Sequence, residues 1–421
     1  MHKIHTLIFA SLTLVLCSCN TTQKNLKNTV EIPQNTSLAP YMAEAEKIHD
    51  DIFSVDSHTD TPLNFTYKNF DVTKDNSKTY VRSCVDFPRM RTGRLDGVFL
   101  AAFVGQGNRN EAGNMRAYNR VNQIIDSIHA IVQRNPSICG LALKPSDAYR
   151  LKEQHKISVF IGIENGYAIG NDLKKVEYFY DKGARYITLC HTKNNDICTS
   201  STDNTEGKGV SEFGRQVVAE MNRLGMMVDV SHISDESFYD VLTLTQAPVI
   251  ASHSCARALC NNPRNLSDDM LKALAKNGGV VQMCILSDYV KPSVPNPEKD
   301  KAFNAFREKY RNYDSMTEKE RANVHEAYNK LEEKYAGQKA TVADAVNHID
   351  HIVKLIGIEH VGIGTDFDGG GGLADCKDAS ELKNITAELL KRGYTKEQLK
   401  LLWGGNLMRV MDEVAKKASK S

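Results

Sequence analysis

Seven side chains with metal-binding chemistry recur in one kind of place in this sequence. They are His58 and Asp60 in VDSHTD, Glu164 in FIGIE, His191 in YITLCH, His232 in VDVSH, His253 in VIASH and Asp366 in GIGTDFDG. Each stands at the end of a short apolar run. Imidazole nitrogens and carboxylate oxygens are donors that Zn²⁺ accepts, and His58 and Asp60, two residues apart, project the same way from an extended chain. Taken singly, each has an ordinary reading: a hydrogen-bonded histidine at a strand end, or an aspartate capping a helix. The repetition of four histidines and three carboxylates at equivalent points is what argues for a metal centre. Asp56 and Asp368 lie in the same motifs and read as loop-shaping residues. DFDGGGG resembles half of a calcium loop without its remaining acidic positions, which excludes a calcium site there.

The elements that must position these residues follow from the periodicity. Strand-like runs fall at 52–56, 98–104, 158–164, 186–191, 226–231, 248–252, 279–285 and 361–366. Amphipathic stretches at 116–133, 211–224, 235–244, 267–276 and 342–355 separate several of them, with apolar residues three and four apart. Eight strands alternating with helices predict a (β/α)8 TIM-type barrel, in which the carboxyl ends of all strands meet at one mouth. A doubly wound open sheet is the runner-up. It lacks a glycine-rich phosphate turn after the first strand, and GQGNRNEAG at 105–113 reads as loop. Residues 291–338 interrupt the pattern with a Pro-rich start and a heavily charged helical stretch containing Tyr310, Tyr313, Tyr328 and Tyr335. They read as an insertion between the seventh strand and its helix, packed on the outside.

The chain has 421 residues, 41% hydrophobic and 25% charged, with 53 Lys plus Arg against 52 Asp plus Glu. That composition is globular, and a net charge of +1 supplies no field to attract nucleic acid. Residues 1–19 read as an export signal: Lys3 precedes an apolar run too short to span a membrane as a folded helix. Leu16-Cys17-Ser18-Cys19 resembles a bacterial lipobox, which implies cleavage before Cys19 and acylation of its thiol; an ordinary secretory peptide is the plainer alternative. Residues 20–40, polar and Pro-punctuated, suit a flexible tether, leaving 41–421 as a single folded domain. The expected location is therefore the bacterial envelope, periplasmic or at the outer membrane or cell surface. The eight cysteines beyond the signal show no CxxC spacing, so no zinc-thiolate site is indicated and no disulfide pair can be assigned.

Across nearly the whole domain the sequence resembles the renal-type membrane dipeptidases, binuclear zinc enzymes of the amidohydrolase-like barrel group. The matching stretches are VDSHTD, RMRTGRLDG, GIENG, LCHTKNN, EMNRLGMMVDVSHIS, APVIASHSCARALCNNPRNLSDD, HVGIGTDFDG and GGNLMRV. The block from Glu220 to Asp269 is the most specific. The first motif departs from the family pattern, with Ser57 in place of Gly and Thr59 in place of Asn; neither is a ligand position.

The resemblance implies two Zn²⁺ per chain, one held by His58, Asp60 and Glu164 and the other by Glu164, His232 and His253. Glu164 bridges, and a hydroxide shared between the metals attacks the peptide carbonyl. Sharing anionic ligands lowers the repulsion between two dications roughly 3.5 to 4 Å apart. It also implies that His191 contacts the substrate carbonyl and that Arg264, in PRNL, grips the terminal carboxylate. Asp366 is implied to contact the water or the substrate amine and to carry the proton to the leaving amine. Dipeptides are the implied substrates, with acceptance of D-residues at the C-terminal position left open. Family members commonly dimerise, though no segment here marks an interface. The competing expectations are another metal-dependent amidohydrolase, acting on a cyclic amide, lactone or phosphoester, and a catalytically silent envelope-binding lipoprotein.

Overall fold

The computed structural model describes residues 37–418, apart from 68–69, 80, 205–208, 293, 312–315, 336 and 338. Cys19, the signal at 1–19 and most of the tether at 20–40 lie outside the described residues. The first ordered element is helix Ala39–Asp51, started by Pro40 in its first turn. Among the described residues no helix is long and apolar enough to cross a membrane.

Nine parallel strands form one sheet: β1 (Val55–Thr59), β2 (Gly97–Phe103), β3 (Cys139–Leu141), β4 (Ile157–Glu164), β5 (Ala184–Thr188), β6 (Met227–Asp229), β7 (Ile250–Ser254), β8 (Val280–Met283) and β9 (Val361–Ile363). The order is β1-β2-β4-β5-β6-β7-β8-β9. The two ends meet through a parallel bridge between Thr59 and Phe367 and through amide bonds from Asp60 to the Phe367 carbonyl (2.9 Å) and from Asp366 to the His58 carbonyl (3.1 Å). The expected eight-stranded barrel is therefore present, nearly closed. The strand not anticipated, β3, pairs with β4 outside the barrel path; it is three residues long, too short to leave a periodic signature.

The first strand begins three residues later than its apolar run suggested, because Ile52 and Phe53 are buried in the approach to it rather than in the sheet. Its shift puts His58 inside the strand and Asp60 just beyond it. Helices start where small polar residues can cap them: Ser211, Ser234 and Ser267 each accept a hydrogen bond from the third amide of the following helix. Glycines in the left-handed region at 225 and 278 stop the first and last of these helices. The stretch at 105–113 is loop only as far as Asn110, which caps a long helix from Glu111 to Arg134. The insertion lies where expected, between β8 and helix Val342–Ile356, and consists mainly of helices Pro297–Lys309 and Glu318–Lys334.

The barrel is filled, not hollow. Phe99 stacks on Phe160 at 4.4 Å between centroids, and Tyr186 stacks on Phe99 at 5.5 Å, with Val55, Met227, Ile250 and Val280 in the same buried cluster. These rings form a floor beneath the strand ends. Gly162 is required beside it, since a Cβ there would lie 2.1 Å from the Tyr186 ring. The departures at 57 and 59 also strengthen closure. Ser57 donates to the Ser252 carbonyl (2.6 Å) and Thr59 to the Phe367 carbonyl (2.8 Å), tying β1 to β7 and to the loop after β9.

At the other end of the barrel, buried His49 is held between the Arg94 carbonyl and Thr386, whose hydroxyl also accepts from Trp403. Burial lowers its pKa from 6.5 to about 4. The unfolded chain therefore takes up this proton first, so stability present above pH 6.5 drains away as the pH falls toward 4, by at most about 3 kcal/mol. His49→Gln is expected to be less stable than the parent at pH 7.5, with the gap narrowing by pH 5. Denaturant unfolding at both pH values measures this; a constant gap would remove His49 from the acid response.

Candidate metal centre

Six of the seven side chains surround or adjoin the carboxylate of Glu164, the last residue of β4. His232 Nε2 lies 3.0 Å from its Oε1, His253 Nε2 3.5 Å and His191 Nε2 3.7 Å, while His58 Nε2 lies 3.5 Å from Oε2. Asp60 and Asp366 join His58 in an adjoining group whose ligand atoms all lie within 4.8 Å of one another. Two more such groups share Glu164: one with His58 and His253, the other with His191 and His232. The strands deliver these residues at different depths. His58 and His253 sit within β1 and β7, whereas His191, His232 and Asp366 each lie three residues past a strand end.

Two of these positions are conformationally costly. His232 (φ 71°) and Asp366 (φ 60°) adopt the left-handed region, as does Asp368 (φ 65°), at a cost of order 1–3 kcal/mol each for residues other than glycine. The turn so made swings each side chain back over the barrel mouth. Gly369 is required for the same reason: a Cβ there would lie 2.3 Å from both Asp366 Oδ1 and Asp60 Oδ2. Asp368 shapes the loop as its motif suggested, accepting from Thr61 (2.5 Å), Ser83 (2.7 Å) and the Cys84 amide (2.6 Å). Asp56 likewise accepts from the amide and hydroxyl of Thr365.

The electrostatics are those of a site built for cations. Burial raises Glu164 to about 8 and Asp366 to about 7, and pushes Asp60 well above the carboxylate range with help from the Glu164 charge. Burial also holds His232 and His253 well below the usual imidazole range and His191 at about 3, with Arg264 adding to each shift. His191, His232 and His253 are thus neutral, with lone pairs to offer. His58 Nε2, Asp60 Oδ1 and Glu164 Oε2 are buried without hydrogen-bond partners, and His232 Nε2 faces His253 Nε2 at 2.8 Å. Such spacings approach the edge of a tetrahedron with ~2.1 Å metal–ligand bonds, about 3.4 Å. The residues fit a metal centre of nitrogen and oxygen donors. The eight cysteines from Cys84 to Cys376 are free thiols, and none belongs to these groups.

The partners that orient the imidazoles are less visible in the sequence. His58 Nδ1 faces the Tyr186 hydroxyl at 2.9 Å, and that phenol reaches the Ser57 carbonyl at 3.2 Å. A proton on Nδ1 donated to the phenol leaves Nε2 bare toward Glu164, the tautomer a metal requires. On the other side His253 Nδ1 faces Ser252 Oγ at 2.8 Å, and Ser252 donates to Asp229 at 2.6 Å. Asp229 also accepts from Thr188 and from the amides of Ser231 and Ser252. His191 is oriented the opposite way: the Thr192 hydroxyl at 3.2 Å can donate to Nδ1, which leaves the proton on Nε2. It is also the most open of the four histidines, 21% exposed against 5% or less. The only advance sign of Asp229 and Ser252 was their place within VDVSH and VIASH, and Tyr186 read simply as a strand residue.

Arg264 lies beside this centre and is 4% exposed. Its guanidinium donates to the His253 carbonyl at 3.1 Å and sits over the Tyr289 ring. Among the described residues it makes no ion pair with a carboxylate, so it is not a surface salt bridge. Asp366 caps no helix. A cavity of about 790 Å³ lies at the opposite end of the barrel near His49 and Tyr149 and contains none of these groups.

Residues 42–421 match the profile of the membrane dipeptidases, peptidase family M19. The chain belongs to this family. It is a metallo-dipeptidase, a hydrolase of dipeptides, on a (β/α)8 barrel. Among curated relatives, dipeptidase ataJ of Aspergillus terreus is 30% identical over 92% of this chain and 89% of its own length. Dipeptidase verJ of Clonostachys rogersoniana is 33% identical over 78% of this chain and 75% of its own. Among solved structures, the probable dipeptidase PvdM of Pseudomonas aeruginosa superposes with a TM-score of 0.78 at 31% identity, covering 90% of this chain and all of that one. A Rhodobacter sphaeroides metallopeptidase, solved with a phosphinate mimic of L-Ala-D-Ala, shares the fold at 20% identity and a TM-score of 0.68, covering 86% of this chain and 99% of its own.

In this dipeptidase the orienting partners carry a testable consequence. Asp229→Asn and Tyr186→Phe should each weaken metal affinity by roughly 10- to 100-fold, read with Zn²⁺ as the probe by competition with a chromogenic chelator. Affinities within twofold of the parent would show that neither residue orients a ligand.

Proposed function

We propose that this dipeptidase works with two zinc ions, His58, Asp60 and Glu164 holding one and Glu164, His232 and His253 the other. The observation that carries the reading is the convergence of four imidazoles on the two oxygens of one buried carboxylate, next to an arginine that pairs with no carboxylate among the described residues. When bound, the metals supply a water acidified to near neutral pH and Lewis acidity toward the peptide carbonyl.

The chain's own residues supply the rest. Arg264 binds the terminal carboxylate of the substrate through its planar guanidinium, which fixes the scissile bond one residue away and disfavours longer peptides. His191, neutral and protonated on Nε2, donates a hydrogen bond to the carbonyl oxygen as negative charge builds there. Asp366, whose carboxyl burial raises to about 7, takes a proton from the attacking water as the carboxylate and passes that proton to the leaving amine as the acid. The phosphinate complex of the Rhodobacter sphaeroides relative supports extending the substrate class to a D-residue at the C-terminal position.

A panel of dipeptides, with D-configured second residues and N-blocked controls, tests the reading. Cleavage should vanish with a chelator and return with zinc at two equivalents per chain. Arg264→Ala should raise KM roughly 10- to 100-fold, the worth of a charge-assisted hydrogen bond, with kcat less affected. Full activity on a substrate lacking a free carboxylate would instead favour a ring- or ester-cleaving amidohydrolase.

We propose further that the protein is exported and anchored through acylated Cys19 at a bacterial envelope, periplasmic or cell-surface, and that it is a homodimer there. The lipobox-like LCSC sequence supports the anchor, and the habit of the family supports the dimer. Cys19→Ser should move the protein from the membrane fraction to the soluble fraction. An unchanged distribution in fractionated cells counts against the anchor.

A further inference from the structure

We propose that the inserted helices Pro297–Lys309 and Glu318–Lys334 build an aromatic subsite beside the metal centre, which receives a large, flat apolar side chain on the substrate's amino-terminal residue. The proposal deepens the dipeptidase reading and rests on it.

A cavity of about 540 Å³ lies between the insertion and the barrel mouth, within the range of roughly 300–1,000 Å³ typical of small-molecule sites. Its outer wall includes Phe306, Tyr310 and Tyr328 together with Arg307, and its inner wall includes Asn64, Arg82 and Asp368. Asn64 lies in the turn that directly follows Asp60, and Asp368 is two residues beyond Asp366. The cavity therefore adjoins the centre along the loops after β1 and β9.

The insertion is fixed in this position. His325 meets Tyr67 edge to face at 5.5 Å, and Arg82 pairs with Glu333 at 3.1 Å, both contacts reaching the segment after β1. Phe303 packs against Tyr328 within the pair of helices. Beyond that core, Phe306 contacts both Tyr310 (4.7 Å) and Tyr328 (5.6 Å), while Tyr328 keeps 42% of its surface exposed. A charged helical face that only met solvent would have no need of three rings clustered toward the mouth. Aromatic rings and guanidinium planes lining a cavity favour a flat aromatic occupant.

The strand order leaves the amino-terminal end of the dipeptide free to reach this cavity. Arg264, the proposed carboxylate clamp, is on the loop after β7, three strands around from β1 in the sequence β7, β8, β9, β1. With its carboxyl end held by Arg264 and its carbonyl at the centre, the substrate's amino-terminal residue lies away from the β7 loop, and we assign it to the side of the β9 and β1 loops, where this cavity opens.

The experiment compares kcat/KM for Phe-Ala, Ala-Phe and Ala-Ala with zinc-loaded enzyme. The parent should favour Phe-Ala over Ala-Ala by about tenfold or more. Asn329→Trp fills the cavity from its own wall without removing a ring contact, and Tyr310→Ala opens it; each should cut the Phe-Ala to Ala-Ala ratio at least about fivefold. A preference for Ala-Phe instead, or a ratio unmoved in both variants whatever their absolute activity, overturns the subsite. If the parent cleaves none of the three, the dipeptidase reading is what has failed. Calorimetric binding of Phe-Ala and Ala-Ala to the zinc-loaded protein then judges the subsite, and equal affinities overturn it.

Discussion

A buried carboxylate ringed by imidazoles is the constraint around which the rest of this protein is arranged. Glu164 sits at the end of a strand buried on both faces, with nitrogen atoms of four histidines between 3.0 and 3.7 Å from its oxygens. In so dry a place an ionised carboxylate needs cationic company. The imidazoles do not provide it, because burial keeps three of them from protonating. Asp60 and Asp366 add further buried carboxyls with raised pKa values. The protein alone leaves this cluster electrostatically incomplete, and the metal of a metallo-dipeptidase is what such a cluster is built to take. Metal binding and proton release are therefore linked in this centre.

Holding such a cluster demands rigidity. The parallel barrel provides it through a stacked aromatic floor of Phe99, Phe160 and Tyr186. Tyr186 has a double role, filling the barrel with its ring and setting the His58 tautomer with its hydroxyl. Asp229 does the corresponding work for His253 through Ser252, while also joining β5, β6 and β7 through its other bonds. Left-handed backbone at His232 and Asp366 is tolerated because the surrounding ladder over-determines those turns. Stability and catalysis thus draw on the same hydrogen bonds at the mouth, whereas His49 and its partners secure the opposite end.

The insertion shows how one scaffold acquires individuality. A barrel exposes its strand-end loops at a single face, so a segment added after β8 arrives next to the metals wherever it packs outward over the rim. Its charge suggested a solvated outer layer, and much of it is that. The inward rings were present in the sequence as Tyr310 and Tyr328, but nothing in a charged helical pattern says which side of a helix meets a neighbouring loop.

The sequence by itself determined the alternation of strand and helix, the eight barrel strands and the placement of metal-binding residue types at strand ends, because hydrophobic period and residue chemistry are local properties. It also carried the family resemblance, since VDVSH, VIASH and PRNL are contiguous words. Tertiary structure alone decided which nitrogen of each histidine faces inward, that Tyr186 and Asp229 stand behind the ligands, and that Arg264 is buried without a carboxylate partner. Each of those depends on atoms brought together from chain segments far apart, as when Tyr186 meets His58 across 128 positions. Strand ends were displaced by a few residues for the same reason: where pairing starts and stops is set by the neighbouring strand, which no local window contains.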